Sequence, residues 1–235
     1  MFETILVKPI YNAFILLTGL MPGSDAGLAI IAVTILMRIV LYPVFTSAIR
    51  TQLGMAAMQP ELESIKEKYA NNREQLAREQ MALFKRYKVN PLSGIASFAV
   101  QLVVMLALYF ALFREGFPAV DQDLLYSFVH APAVISTTFF GLIDLLTPNH
   151  LILSVLVALS QFAAIKLTLR RTPSQKSLTA EKAQVQRMQQ NLLLYFMPGL
   201  MGVFSFFFPG AVGLYFLASN LLSLGQEWLI KHKFA

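Results

Sequence analysis

Of the 235 residues, 56% are hydrophobic and only 14% charged, whereas a soluble globular domain carries about 25% charge; several apolar runs of bilayer length make this a membrane protein. There is no cysteine, which excludes a disulfide framework, thiolate metal sites and a cysteine nucleophile. His130, His150 and His232 are too scattered for a metal site, no cofactor is expected, and with a net charge of +6 the placement of the charges matters more than their sum.

The elements follow in chain order. Residues 1–26, with "FETILVKPIYNAFILLTGLMPG", hold an apolar run too short to span and broken by Pro9. They lack the basic start and cleavage site of a signal peptide, so an N-terminal interfacial helix is predicted. Residues 27–49 form the first span, in which Leu28 to Phe45 is apolar except for Thr34 and Arg38. Residues 50–90 form a cytoplasmic helical hairpin. Pro60 suits the start of its first helix, and Asn71-Asn72 suit a turn with an N-cap for the second. Leu62, Ile65 and Tyr69, then Leu76, Leu83, Phe84 and Tyr87, recur at helical spacing. Lys85 and Arg86 belong to its charged outer face. This hairpin is either a self-contained structural unit or a docking arm for a cytoplasmic partner.

The second span covers 91–114, with Ser97 and Gln101 as its polar members. Residues 115–149 form an extracytoplasmic loop; within it "FVHAPAVISTTFFGLIDLLTP" is short and interrupted by Pro132, Gly141 and Asp144, leaving a sixth or re-entrant segment as the alternative. The third span, 150–169, carries Ser154, Ser160 and Gln161, with Lys166 placed to snorkel. A cytoplasmic loop, 170–190, follows. The rest is too long for one span, and Pro209-Gly210 is a turn signal. It divides the region into a fourth span, 191–208, in which Pro198 is placed to kink the helix, and a fifth, 211–230, before the tail 231–235.

Charge sets the sidedness. The segment Arg50–Lys88 holds eight Lys or Arg and Lys166–Arg187 holds six, while between Glu115 and His150 there is none. Basic loops stay in the cytoplasm, and five spans with the N-terminus outside and the C-terminus inside satisfy every loop. A sixth span would put one basic loop on the wrong side. The expected fold is all-α, five transmembrane helices with the hairpin and the interfacial helix.

Arg38 lies in the middle of an apolar run, where a charge costs roughly 2.5–3.5 kcal/mol on insertion scales. A buried ion pair needs an acid at similar depth, and no span contains an obvious one: Asp144 and Glu115 lie toward the outer side, Glu227 toward the inner end. The residues therefore favour a hydrated cavity over an ion pair. Thr34 is one turn away on the same helix face. Gln101 in the second span and Tyr215, Ser219, Asn220 and Ser223 in the fifth add polar groups. Interhelical hydrogen bonds explain some of these, but not a full positive charge. Such a recess serves an anion transporter or lipid scramblase, or it receives the hydrophilic part of a polypeptide entering the membrane. No internal repeat or pore-lining ring supports a transporter or channel. No nucleophile–base pair, paired carboxylate or metal motif supports an enzyme.

These residues carry a resemblance. "TILMRIVLYP", "MQPELESIKEKY", "YKVNPLSG", "QLVVMLALYFALF" and "FMPGLMGVFSFFFPGAVGLYFLASNLLSLGQEWLI" occur in the order and spacing of the YidC/Oxa/Alb family of membrane protein insertases. The chain resembles that family from about Phe2 to Lys231. The resemblance implies a five-helix core around a groove open to the cytoplasm and to lipid, in the bacterial cytoplasmic (inner) membrane. Arg38 matches the groove arginine, Thr34 a sensitive hydroxyl, and Gln101 the polar position of the second span. Tyr215 and Phe216 match an aromatic pair, one face of which contacts the emerging substrate helix. The hairpin resembles the family's mobile arm. Implied partners are nascent membrane proteins, a ribosome reached through the basic loops, a Sec translocon, the signal recognition particle receptor and membrane lipids. The pattern is departed from at Gly94-Ile95, where the family usually has Gly-Cys, at Leu102-Val103, where a proline is usual, and at Phe216, which has no hydroxyl. The large periplasmic domain of some relatives and the long basic tail of mitochondrial ones have no counterpart, so a minimal form is expected.

Overall fold

Two prolines begin helices by the same device. The computed structural model describes residues 3–90, 92–113, 117–169, 184, 188 and 190–234; Glu115 and nearly all of the predicted basic loop 170–190 lie outside the described residues. A π-helical turn, Glu3–Val7, runs into α1 (Lys8–Leu20), with Pro9 in its first turn. Far along the chain a second, Leu192–Phe196, runs into the helix holding Pro198. Proline has no N–H for the carbonyl four residues back; a wider i to i+5 turn lets the preceding carbonyls bypass it. The break expected at Pro9 therefore does not occur. Val7, Ile10, Tyr11, Phe14, Ile15 and Thr18 form the buried stripe of this continuous helix.

Helix α2 (Ala26–Val40) and helix α3 (Tyr42–Lys68) divide the apolar run that the sequence presents as one span. They meet at Leu41, with a 70° bend between Ala26–Val40 and Tyr42–Met55. Pro43 in the first turn of α3 explains the break, because it has no N–H for the carbonyl of Ile39 and its ring clashes with that carbonyl, so α2 cannot continue through it. Pro60 does not open the hairpin as expected; it lies inside α3. The helix survives it because Met58 and Leu62, on either side, are buried against Leu83 and Val89. After α3 ends at Lys68, with Tyr69 as its C-cap, the Asn72 side chain accepts from Gln75 N–H at 3.1 Å and starts α4 (Arg73–Arg86). Arg86 pairs with Glu61 across the hairpin, and Lys85 is exposed.

The remaining helices are α5 (Ser93–Phe113), α6 (Leu151–Leu169), α7 (Met197–Phe207) and α8 (Gly210–Phe234). Helix α6 packs on α7 and α8, α2 packs on α1 and α8, and α5 packs on α1 and α3. One described helical stretch, Glu3–Leu20, is long and apolar enough by itself to cross a membrane, which corrects the expectation of a run too short to span, because the helix continues through Pro9 instead of breaking there. The bent α2–α3 pair passes only as a unit, and Ala99–Phe110, Leu151–Leu167 and Leu192–Phe207 are shorter apolar helices.

The alternative of a sixth helix is resolved at 128–147, which contains no helix. Thr138–Phe139 (β1) pairs antiparallel with Ile143–Asp144 (β2) around a turn with Gly141 at φ +70°. This loop is sewn to the helix ends. Asp25 Oδ1 accepts from Gly27 and Leu28 N–H at 2.7 and 3.1 Å, capping α2, while Oδ2 accepts from Phe140 N–H at 2.9 Å. Ala211 N–H donates to Leu145 O at 3.0 Å, and Asn12 holds Leu124 O and Tyr126 N–H.

Gly213 sets how closely α8 approaches its neighbours. A Cβ there would lie 2.6 Å from Ser205 Oγ and 2.8 Å from Leu153 Cδ2. Ser205 and Leu153 are themselves buried, so the contact has little room to relax. Gly213→Ala is expected to destabilise the bundle by about 1–3 kcal/mol, read as earlier thermal unfolding in detergent.

Candidate functional site

Arg38 ends up beside α8 because it lies in the last turn of α2, which packs there and stops two residues later. Its Nη2 donates to Ser219 O at 2.9 Å and Ser219 Oγ at 3.1 Å; its Nη1 donates to Gln226 Oε1 at 3.2 Å. The guanidinium carbon lies 4.2 Å from the centre of the Phe45 ring, a cation–π contact made by the bend at Leu41. Every one of these partners is neutral. Among the described residues no carboxylate pairs with Arg38 in the ion pairs found. Hydrogen bonds to a charged group contribute about 1.5–3 kcal/mol each, so two or three such bonds are comparable with the cost of inserting the charge.

A second layer holds the acceptors. From α5, Gln101 Nε2 donates to Tyr215 Oη at 2.7 Å and Ser219 Oγ at 3.0 Å. Gln226 Nε2 donates to Thr46 Oγ1 at 3.0 Å, linking α8 to the first turns of α3. The free space bordered by Thr34, Arg38, Gln101 and Tyr215 is about 10 Å³, room for about one water. In this conformation Arg38 is half-buried, and protein groups take up its hydrogen bonds to Ser219 and Gln226.

Arg38, Gln101, Tyr215 and Ser219 thus converge. Thr34 borders the same space, but its hydroxyl donates along its own helix to Ile30 O at 2.6 Å. Asn220 does not join the cluster: its Nδ2 donates to Ser160 Oγ on α6 at 3.1 Å. Phe216 is half-buried and meets Phe204 of α7 edge-on. Successive helix positions turn by about 100°, so Ser219 and its neighbour Asn220 face different helices. Pro60, Tyr69, Lys85 and Arg86 belong to the hairpin, outside this cluster.

Gln226, Thr46 and Phe45 were not among the residues expected here. A signal for Gln226 existed, since Tyr215, Ser219 and Gln226 follow at i, i+4 and i+11 on one helical face. Phe45 and Thr46 carried none, because the bend at Leu41 changes the face on which they stand relative to Arg38.

Residues 17–235 match the 60Kd inner membrane protein family. A Histophilus somni (strain 2336) protein named membrane protein insertase YidC is 33% identical over 227 residues, covering 96% of this chain and 36% of that one. An Oceanobacillus iheyensis protein of the same name is 33% identical over 232 residues, covering 97% of this chain and 82% of that one. The membrane protein insertase MisCA of Bacillus subtilis (strain 168) is 32% identical over 213 residues, covering 89% and 71%. The chain therefore spans about a third of the Histophilus relative's length and most of the other two. With a family match across nearly the whole chain and two relatives covered over more than two thirds of their length, the chain belongs to the 60Kd inner membrane protein family of YidC-type insertases.

Proposed function

We propose that the chain is a membrane protein insertase that works by partner exchange at Arg38. The observation that carries the reading is the neutral cage: the guanidinium is held by a hydroxyl, a carbonyl, an amide and a ring, not by a carboxylate. Charge-assisted bonds between ionised partners are roughly twice as strong as neutral ones. A carboxylate on the hydrophilic end of an incoming chain therefore displaces Ser219 or Gln226 with a net gain. As the cage loosens, water follows and the recess becomes a hydrated groove. The substrate's apolar segment then partitions between the helices and lipid at about 25 cal/mol per Å². Thr34, Gln101, Tyr215 and Ser219 line the path, with Phe216 and Asn220 toward α6 and α7.

In this reading the five spans are α2 with the start of α3, then α5, α6, α7 and α8, with the N-terminus outside and the C-terminus in the cytoplasm. Helix α1 lies along the outer interface; its bonds from Lys8, Tyr11 and Asn12 to residues 121–126 support that position. The hairpin receives nascent membrane proteins, the basic loops meet the ribosome, and a Sec translocon and the signal recognition particle receptor cooperate.

The test is complementation of insertase-depleted bacteria with single-span, acidic-tailed substrates. Arg38→Ala is expected to reduce their insertion by about tenfold or more, whereas Arg38→Lys retains part of it, since lysine keeps the charge but not the planar fork. Undiminished insertion of every such substrate by the alanine variant overturns the proposal.

A further inference from the structure

Outside the Arg38 cluster, a cavity of about 400 Å³ opens at the elbow between the first turns of α3 and the residues that follow α4. Its lining includes the cations Arg50 and Lys88, the hydroxyls of Tyr42, Ser47 and Thr51, and the amide of Asn90. No carboxylate is among the described residues that line it. Lys88 reaches this wall from a left-handed backbone position, φ +52°, just beyond the end of α4. Two cations of different shape in one lining with hydroxyl and amide groups fit a tetrahedral oxyanion with several acceptor oxygens.

We propose that this cavity binds the headgroup phosphate of an anionic glycerophospholipid. A lipid is favoured over a free anion by what adjoins the cavity. The last turns of α2 leave Ile35, Leu36, Ile39 and Val40 exposed, Ile39 at 67% and Val40 at 62%. They end two residues before Tyr42, which is 48% exposed and forms part of the cavity wall. An apolar flank, then an amphipathic ring, then paired cations is the order of acyl chain, interface and headgroup at a membrane surface. The site also adjoins the cluster around Arg38, because Thr46 forms part of its wall and accepts from Gln226. The inference stands on membrane placement alone and does not require the insertase reading.

The experiment uses the full chain in detergent, with native mass spectrometry counting bound phosphatidylglycerol against phosphatidylcholine. The intact protein is expected to retain phosphatidylglycerol preferentially. The double variant Arg50→Gln/Lys88→Gln should weaken that retention about fivefold or more. Lys166→Gln, a control for nonspecific attraction at another basic position, should leave it unchanged. The charge-keeping variant Arg50→Lys/Lys88→Arg should restore most of it, which separates loss of the site from loss of fold. Equal retention of the two lipids, or an equal loss in Lys166→Gln, overturns the proposal. Displacement of the lipid by inorganic phosphate at equal concentration would make this a free-anion site, and displacement by an acidic peptide but not by added phosphatidylglycerol would make it a substrate site; either overturns the headgroup assignment.

Discussion

Gln226→Glu is expected to block insertion of acidic-tailed substrates while the protein stays folded. The substituted carboxylate would stand where Gln226 Oε1 now accepts from Arg38 Nη1 at 3.2 Å. The neutral cage would become a half-buried ion pair. An incoming carboxylate would then gain nothing by exchange, since it would replace one charged partner with another. Breaking a buried pair costs about 3–5 kcal/mol, and each 1.4 kcal/mol is about tenfold, so a loss of roughly two orders of magnitude or more is expected. Gln226→Leu is the informative contrast. It removes one neutral acceptor and the bond to Thr46, leaves Nη1 available to substrate, and should retain insertion within about tenfold. Both variants are measured by insertion of a purified single-span protein into proteoliposomes, with thermal unfolding as the check on folding. Wild-type insertion by the glutamate variant would show that the neutrality of Arg38's partners has no bearing on activity.

The second large effect concerns the outer end. Asp25 is buried and accepts three backbone N–H groups, two at the start of α2 and one from Phe140 in the β-turn. Asp25→Ala removes the helix cap, about 1 kcal/mol, and the acceptor of the Phe140 amide, whose residue is exposed so that water can replace it, about 0.5–1.5 kcal/mol. The sum, about 1.5–2.5 kcal/mol, should appear as lower thermal stability and as faster hydrogen exchange at Phe140. Asp25→Asn should fall between, because its carbonyl oxygen can still cap α2 while its NH₂ meets the Phe140 N–H donor to donor. Slow exchange at Phe140 in the alanine variant would show that the cap is held by other contacts, such as the Ala211 to Leu145 bond.

Several features were legible in the residues alone, and the reason is that their cost does not depend on the partner. A guanidinium in the run "TILMRIV" must be satisfied whatever packs against it, so Arg38 stands out before any helix is placed. Amphipathic spacing likewise marks the hairpin, since Leu62 and Leu83 need cover wherever the loop lies. The order of motifs carried the family. Which groups solvate Arg38 belongs to the tertiary structure. That choice depends on how α8 is rotated, which puts Ser219 and Gln226 toward Arg38 and turns Asn220 toward Ser160. It depends also on the bend at Leu41, which brings Phe45 under the guanidinium. Pro9 reads as a break and Pro60 as a helix start because proline removes a hydrogen bond locally; a π-helical turn carries the helix through Pro9, and packing keeps α3 continuous through Pro60. Local sequence set the need for a partner, and helix rotation and packing decided which side chains met it.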